Sequence, residues 1–228
     1  MTEGHIVQRK RNRGKYDFEA VRGVLDDGIV CHVGFVQDKA PVVIPMLYAR
    51  EGRDLLLHGS VASRLLRELS TGISVCVTVT HLDGLVLAAS VFDHSANYRS
   101  AVIFGQARTI EDPAEKARAF DHLVDFMIPG RSQEARPANR KEAAATTVLR
   151  LPIETFSVKQ RSGPAGSPEP GDPKDVWTGV IPISTQCGPV RAEQNPGKIP
   201  YYISSYRLNA SRLKEGGQYK ASRDGMES

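Results

Sequence analysis

Between residues 29 and 58 the chain alternates short apolar runs with turns of about three residues, and that alternation excludes most folds. Residues 29–36 are apolar and centred on Cys31-His32-Val33-Gly34-Phe35; they end at the turn Gln37-Asp38-Lys39. Ala40-Pro41-Val42-Val43-Ile44-Pro45-Met46-Leu47-Tyr48 follows, then Glu51-Gly52-Arg53, then Asp54-Leu55-Leu56-Leu57-His58. Links this short join only antiparallel neighbours, because a parallel crossover needs about a dozen residues or more. The segment is therefore expected to be an antiparallel meander.

The same pattern continues downstream. Residues 73–80 are rich in β-branched side chains, Leu82-Asp83-Gly84 reads as a turn, and strands are expected over 85–91 and 98–110. Residues 151–159 read as a last core strand, with Phe156 and Val158 on one face and Thr155 and Ser157 on the other. Helical spacing appears over 17–25, where Asp17 is the expected N-cap, and over 60–69, where Leu65, Leu66 and Leu69 share a face. It recurs over 114–127, behind Asp112-Pro113, and a short helix is expected over 141–148. Six or seven short strands with interspersed helices predict a mainly β, α+β fold: an antiparallel barrel with flanking helices. Residues 1–15 are expected to be a basic, solvated arm, 16–208 one domain with a C-terminal extension, and 209–228 a polar tail.

A chain 40% hydrophobic can bury a core, and a net charge of +4 suits a small anionic ligand. Nucleic acid is not expected as a partner: the basic run Arg9 to Lys15 has no interleaved aromatics for base stacking. No apolar stretch approaches the ~20 residues of a membrane span, and no apolar leader follows the start, so a cytoplasmic location is expected. Cys31, Cys76 and Cys187 form no disulfide framework or zinc spacing, and Cys31 and Cys76 are expected to be buried thiols. The histidines show no metal-ligand spacing, so no metal site is expected, and no dinucleotide or Walker glycine motif is present.

Two blocks carry the chemistry. In Leu57-His58-Gly59-Ser60-Val61-Ala62-Ser63-Arg64 a strand runs into a helix start, where free backbone N–H groups, Ser60, Ser63 and Arg64 suit an anion. In Asn97-Tyr98-Arg99-Ser100-Ala101-Val102-Ile103-Phe104-Gly105 an arginine lies in an apolar strand, and such a charge needs a partner. A nearby carboxylate would satisfy Arg99 structurally; a phosphate shared with Arg64 would do so functionally. An apolar slot beside them could come from Val43-Ile44-Pro45-Met46. Together these point to a phosphorylated cofactor, with flavin mononucleotide (FMN) the best candidate.

The order Ile44-Pro45-Met46-Leu47-Tyr48, then Leu57-His58-Gly59-Ser60 with Arg64, then Tyr98-Arg99-Ser100 through Phe104-Gly105 resembles the pyridoxamine 5′-phosphate oxidase-like superfamily of FMN-binding split barrels. Within it the chain is most similar to the flavin-nucleotide-binding branch that includes the 5-nitroimidazole reductases (Nim proteins), whose C-terminal motif resembles Val176-Trp177-Thr178-Gly179-Val180-Ile181-Pro182. The resemblance spans residues 16–185. It implies an antiparallel split β-barrel and a homodimer with FMN at the subunit interface. It implies that Arg64 and Arg99, helped by Ser63 and Ser100, hold the phosphate, and that Tyr98 is among the cofactor-binding residues. It implies further that Val43, Ile44, Pro45, Met46, His58, Gly59 and Ser60 line the ring and that Trp177 closes the site. His58 matches the histidine beside the flavin in Nim proteins and is the expected catalytic or substrate-contacting group. The chain departs from the family at Ala88-Ala89-Ser90, where related sequences often carry an arginine, and it lacks the C-terminal arginines of true pyridoxamine phosphate oxidases. The implied activity is FMN-dependent oxidoreduction of a small aromatic or nitro compound. The alternatives are a non-catalytic flavin-storing protein, or a split barrel that binds haem or the deazaflavin F420.

Overall fold

In the computed structural model, residues 6–193 and 199–209 are described. The strands are β1 (Gly14–Lys15), β2 (Val30–Gln37), β3 (Ala40–Glu51), β4 (Asp54–Ser60), β5 (Ser74–Leu87), β6 (Ser95–Gln106), β7 (Arg108–Thr109), β8 (Thr146–Pro152), β9 (Thr155–Arg161) and β10 (Gly179–Pro182). They form one sheet in the order β1-β9-β6-β5-β2-β3-β4-β8-β7, with β10 added on β5, and every recorded pairing is antiparallel. The sheet curls without closing its hydrogen-bond ladder. A Cβ on Gly105 of β6 would lie 3.0 Å from Leu151 of β8, so glycine allows the two halves to meet there. This is the split barrel that the strand-and-turn pattern and the family resemblance predict.

The helices are α1 (Phe18–Asp26), α2 (Arg64–Ser70), α3 (Pro113–Met127), α4 (Arg140–Ala144) and α5 (Tyr201–Ser204). Their starts follow local rules. Asp17 accepts the Ala20 N–H at 2.8 Å, Asp112 accepts that of Glu115 at 2.6 Å, and Asn139 and Glu142 form a reciprocal capping box. Leu55, Leu56 and Leu57 in succession are fully buried, because β4 is covered on both faces. Tyr48 and Phe126 link β3 to α3 with ring centroids 5.8 Å apart, and the Tyr48 hydroxyl donates to the Leu25 carbonyl at 2.6 Å.

Several expected boundaries differ. The expected turn at Leu82-Asp83-Gly84 is a bulge inside the continuous strand β5, where the pairing steps from Leu82↔Tyr98 to Gly84↔Asn97 and leaves Asp83 as the extra residue. The helix expected over 141–148 ends at Ala144, since the β-branched Thr146, Thr147 and Val148 pair with β4. The strand expected over 151–159 is two strands, β8 and β9, divided where the Ile153 N–H turns to the Arg53 carbonyl at 2.8 Å. The basic arm is not wholly solvated, because Gly14 and Lys15 pair with Lys159 and Val158. The polar tail expected over 209–228 lies outside the described residues from position 210 on, as do residues 1–5. No helix among the described residues is long and apolar enough to cross a membrane.

Candidate functional site

His58 lies near the end of β4, opposite Val148, and its imidazole reaches a cavity of about 440 Å³ beneath α3. Phe120, Leu123, Val124 and Met127 wall the cavity from α3, at positions that share one helical face. Ala135, Arg136, Pro137 and Ala138 close the other side. The His58 Nδ1 is buried without a hydrogen-bond partner. Desolvation lowers the ring's pKa from its ordinary value, which favours the neutral imidazole. His58 as a whole is half-buried, and the cavity beside it is lined mainly by apolar side chains but also by Asp121, Ser132, Arg136 and Glu142.

A second cavity of about 520 Å³ adjoins the first and shares Phe120, Asp121, Pro137 and Ala138 with it. It runs between the start of α3 and α4, and Lys116 and Arg140 stand in its wall along with Glu111. Arg136, by contrast, is held by both carboxylate oxygens of Glu142 at 2.6 and 2.8 Å. That pair, with the Asn139 N–H, draws the Glu142 pKa down to about 2. At the far end of the first cavity, the Tyr206 hydroxyl donates to the Met127 carbonyl and that of Tyr202 to Glu134. These bonds tie the segment around α5 to the end of α3.

Arg99 lines a separate, more polar cavity of about 450 Å³, to which neither Arg64 nor His58 contributes. Its guanidinium donates twice to Asp83, at 3.0 and 2.9 Å, and also to Asp27. The hydrogen bond to Asp83 is the main cause that raises the Arg99 pKa. The partner that Arg99 requires is therefore carboxylate, and a phosphate there would meet two acidic side chains. Ser100, the next residue along the strand, has the opposite face, and its hydroxyl is 3.0 Å from that of Thr80. Arg99 and Ser100 thus do not converge on one anion within this protomer.

The same alternation divides the expected ring-lining segment. Ile44 and Met46 pack against the core, whereas Val43 and Pro45 are exposed on the outer face of β3. Val43 is 64% exposed, opposite Gly34, and Leu47 lies opposite Val30. Arg64 opens α2, with Ser63 as N-cap residue and Ser60 accepting the Ala62 N–H at 3.2 Å. Gly59 packs under Leu66, where a Cβ would approach to 3.1 Å. Tyr98 is half-buried on the outward face of β6. Trp177 is 65% exposed, just before β10, and its ring lies over Gly179 so closely that any Cβ there would collide with it.

Sequence reasoning singled out His58 but not its surroundings. The stripe Phe120, Leu123, Val124 and Met127 is legible as an apolar helical face, yet nothing in the spacing says that it faces a histidine. Asp27 and Asp83 gave no signal as partners of Arg99. Cys31 is buried as expected, with its thiol pushed up to about 12, while Cys76 is half-buried.

The family model for pyridoxamine 5′-phosphate oxidase matches residues 17–160. The structure is similar to that of the flavocytochrome Anf3 from Azotobacter vinelandii, with 36% identity, a TM-score of 0.85, and 91% of this chain and 98% of that one covered. It is similar to the FAD and haem binding protein from Mycobacterium smegmatis, with 35% identity, a TM-score of 0.81, and coverage of 86% and 99%. A protein of Bacteroides thetaiotaomicron assigned to 5-nitroimidazole antibiotic resistance shares the fold, at 21% identity, a TM-score of 0.53, and coverage of 64% and 85%. Among curated proteins none matches.

Proposed function

Because this chain belongs to the pyridoxamine 5′-phosphate oxidase family of flavin-binding proteins, we propose that it is a flavin-dependent oxidoreductase that also holds a haem, with His58 as the iron ligand. The observation that carries the haem is His58, half-buried with an unpartnered Nδ1, in the wall of a cavity lined mainly by apolar side chains. Neutral imidazole is the form that ligates metal, and an apolar wall suits a porphyrin face. Two similar proteins are a flavocytochrome and an FAD and haem binding protein, which supports the same reading.

Bound flavin would supply hydride or electron transfer, and bound haem one-electron chemistry at iron. The chain's own part is positional. His58 presents an imidazole nitrogen, and Phe120, Leu123, Val124 and Met127 supply the apolar wall beside it. The flavin is assigned to the outward residues Val43, Pro45, Tyr98 and Ser100, with Trp177 as cover. Arg64, Ser60 and Ser63 are assigned to its phosphate. One arginine–serine block suffices for the single phosphate of FMN; the mass of the flavin released from purified protein separates FMN from FAD. A small aromatic or nitro compound is the acceptor class that the apolar walls fit. A second copy is assigned to the exposed apolar face that includes Val30, Val36, Val43 and Leu47, consistent with a homodimer.

The absorbance spectrum of purified protein supplied with haemin and flavin tests the reading. Flavin absorbance and a Soret band are expected together, and His58→Ala should lose the Soret band while keeping the flavin. Protein that takes up neither cofactor overturns the proposal; flavin without a Soret band overturns the haem half alone.

A further inference from the structure

Resting on the haem reading above, we infer that Lys116 and Arg140 form an anchoring site for the haem propionates, in the cavity that adjoins the His58 cavity. A haem is a flat apolar ring with two carboxylates on one edge, so its site needs three things in order: an iron ligand, apolar walls and cations at a wet rim. The trough under α3 has that order. His58 stands in the first cavity, and Phe120, Asp121, Pro137 and Ala138 are common to both. Lys116, a turn before Phe120 on α3, and Arg140, at the start of α4, stand in the second.

Charge accounting favours these two side chains over the other basic residue at hand. Arg136 lines the His58 cavity, but its guanidinium is engaged by both oxygens of Glu142. Lys116 and Arg140 make no ion pair with any described residue. Their wall also carries Glu111 and Asp121, which repel an anion. The wall is thus balanced in charge, two cations against two carboxylates, and the attraction lies in direct contact of the propionates with Lys116 and Arg140. Arg140 can bind a carboxylate through paired N–H donors, and Lys116 acts as a point charge.

The test is a Soret titration of haem-free, full-length protein with haemin and with haemin dimethyl ester, whose edge carboxylates are blocked. The intact protein should bind haemin about tenfold more tightly than the ester, as one effective charged contact would give. That preference should shrink as salt rises, because the cations lie at the rim. Lys116→Gln with Arg140→Gln should bind both forms equally, at the level of the ester on the parent protein. Lys141→Gln, beside the site but outside its wall, should keep the preference; far-UV circular dichroism verifies that every variant is folded. Equal binding of the two forms by the parent, or an unchanged preference in the double variant, overturns the propionate site while the haem reading stands. No Soret complex with either form on the parent overturns the haem reading, and this site with it.

Discussion

Arg99 and Asp83 face each other across a β-bulge: the extra residue that the bulge inserts into β5 turns its carboxylate to the guanidinium, which donates to both oxygens at 3.0 and 2.9 Å. Asp27, at the end of α1, completes the cluster. An arginine that first suggests an anion site thus joins a helix end to a sheet.

Arg99 and Arg64 should accordingly separate in mutagenesis. Arg99→Met removes the cation shared by two carboxylates and should cost about 1–2 kcal/mol, between the values for surface and buried pairs. Flavin content per folded protein should be unchanged. Arg64→Ala should leave stability nearly intact and reduce flavin retention. Denaturant melts and flavin-to-protein ratios read both; flavin loss in Arg99→Met at unchanged stability would falsify the structural assignment.

In haem-free protein, stability should depend on pH through His58. Desolvation lowers its folded pKa below the ordinary 6.5, so below that pH the unfolded chain binds the extra proton. Stability therefore falls as pH drops below about 6.5 and recovers as pH rises through it, with a slope of at most about 1.4 kcal/mol per pH unit for one proton. His58→Leu should flatten that part of the profile. An identical slope in the variant would assign it to other histidines.

The cysteines should label in a fixed order at pH 8. Cys187 is exposed and should react first; Cys76 is half-buried, with desolvation raising its pKa, and should follow slowly. Cys31 is buried, its thiol pushed up to about 12, and should react only on unfolding. Peptide mapping after timed alkylation reads the order, and early modification of Cys31 contradicts the packing.

Gly179→Ala should displace the only tryptophan, because the new Cβ would lie 2.5–2.6 Å from Trp177 ring atoms. The emission spectrum and anisotropy should change while the fold persists. Unaltered emission would show that Trp177 does not rest on Gly179.

Much of the fold was legible because its signals are local. Asp17, Asp112 and Pro113 mark helix starts in sequence and serve as such, and the turns at Gln37 to Lys39 and Glu51 to Arg53 fall between strands. The bulge at Asp83 was not legible, since Leu82-Asp83-Gly84 has turn chemistry and only its pairing with β6 and β10 keeps it in a strand.

By itself the sequence determined the strand alternation, the helix caps and the family, and it singled out His58 as a candidate. Those depend on spacing and on contacts a few residues long. Tertiary structure alone decided that Arg99 is met by Asp83 and Asp27, that Val43 and Ile44 have opposite faces, and that the apolar stripe of α3 roofs His58. The physical reason is common to all three. A charge or a lone pair takes whichever partner the curl of the sheet brings near, and residues 72 apart in the chain, as Asp27 and Arg99 are, become neighbours only when the strands between them have paired.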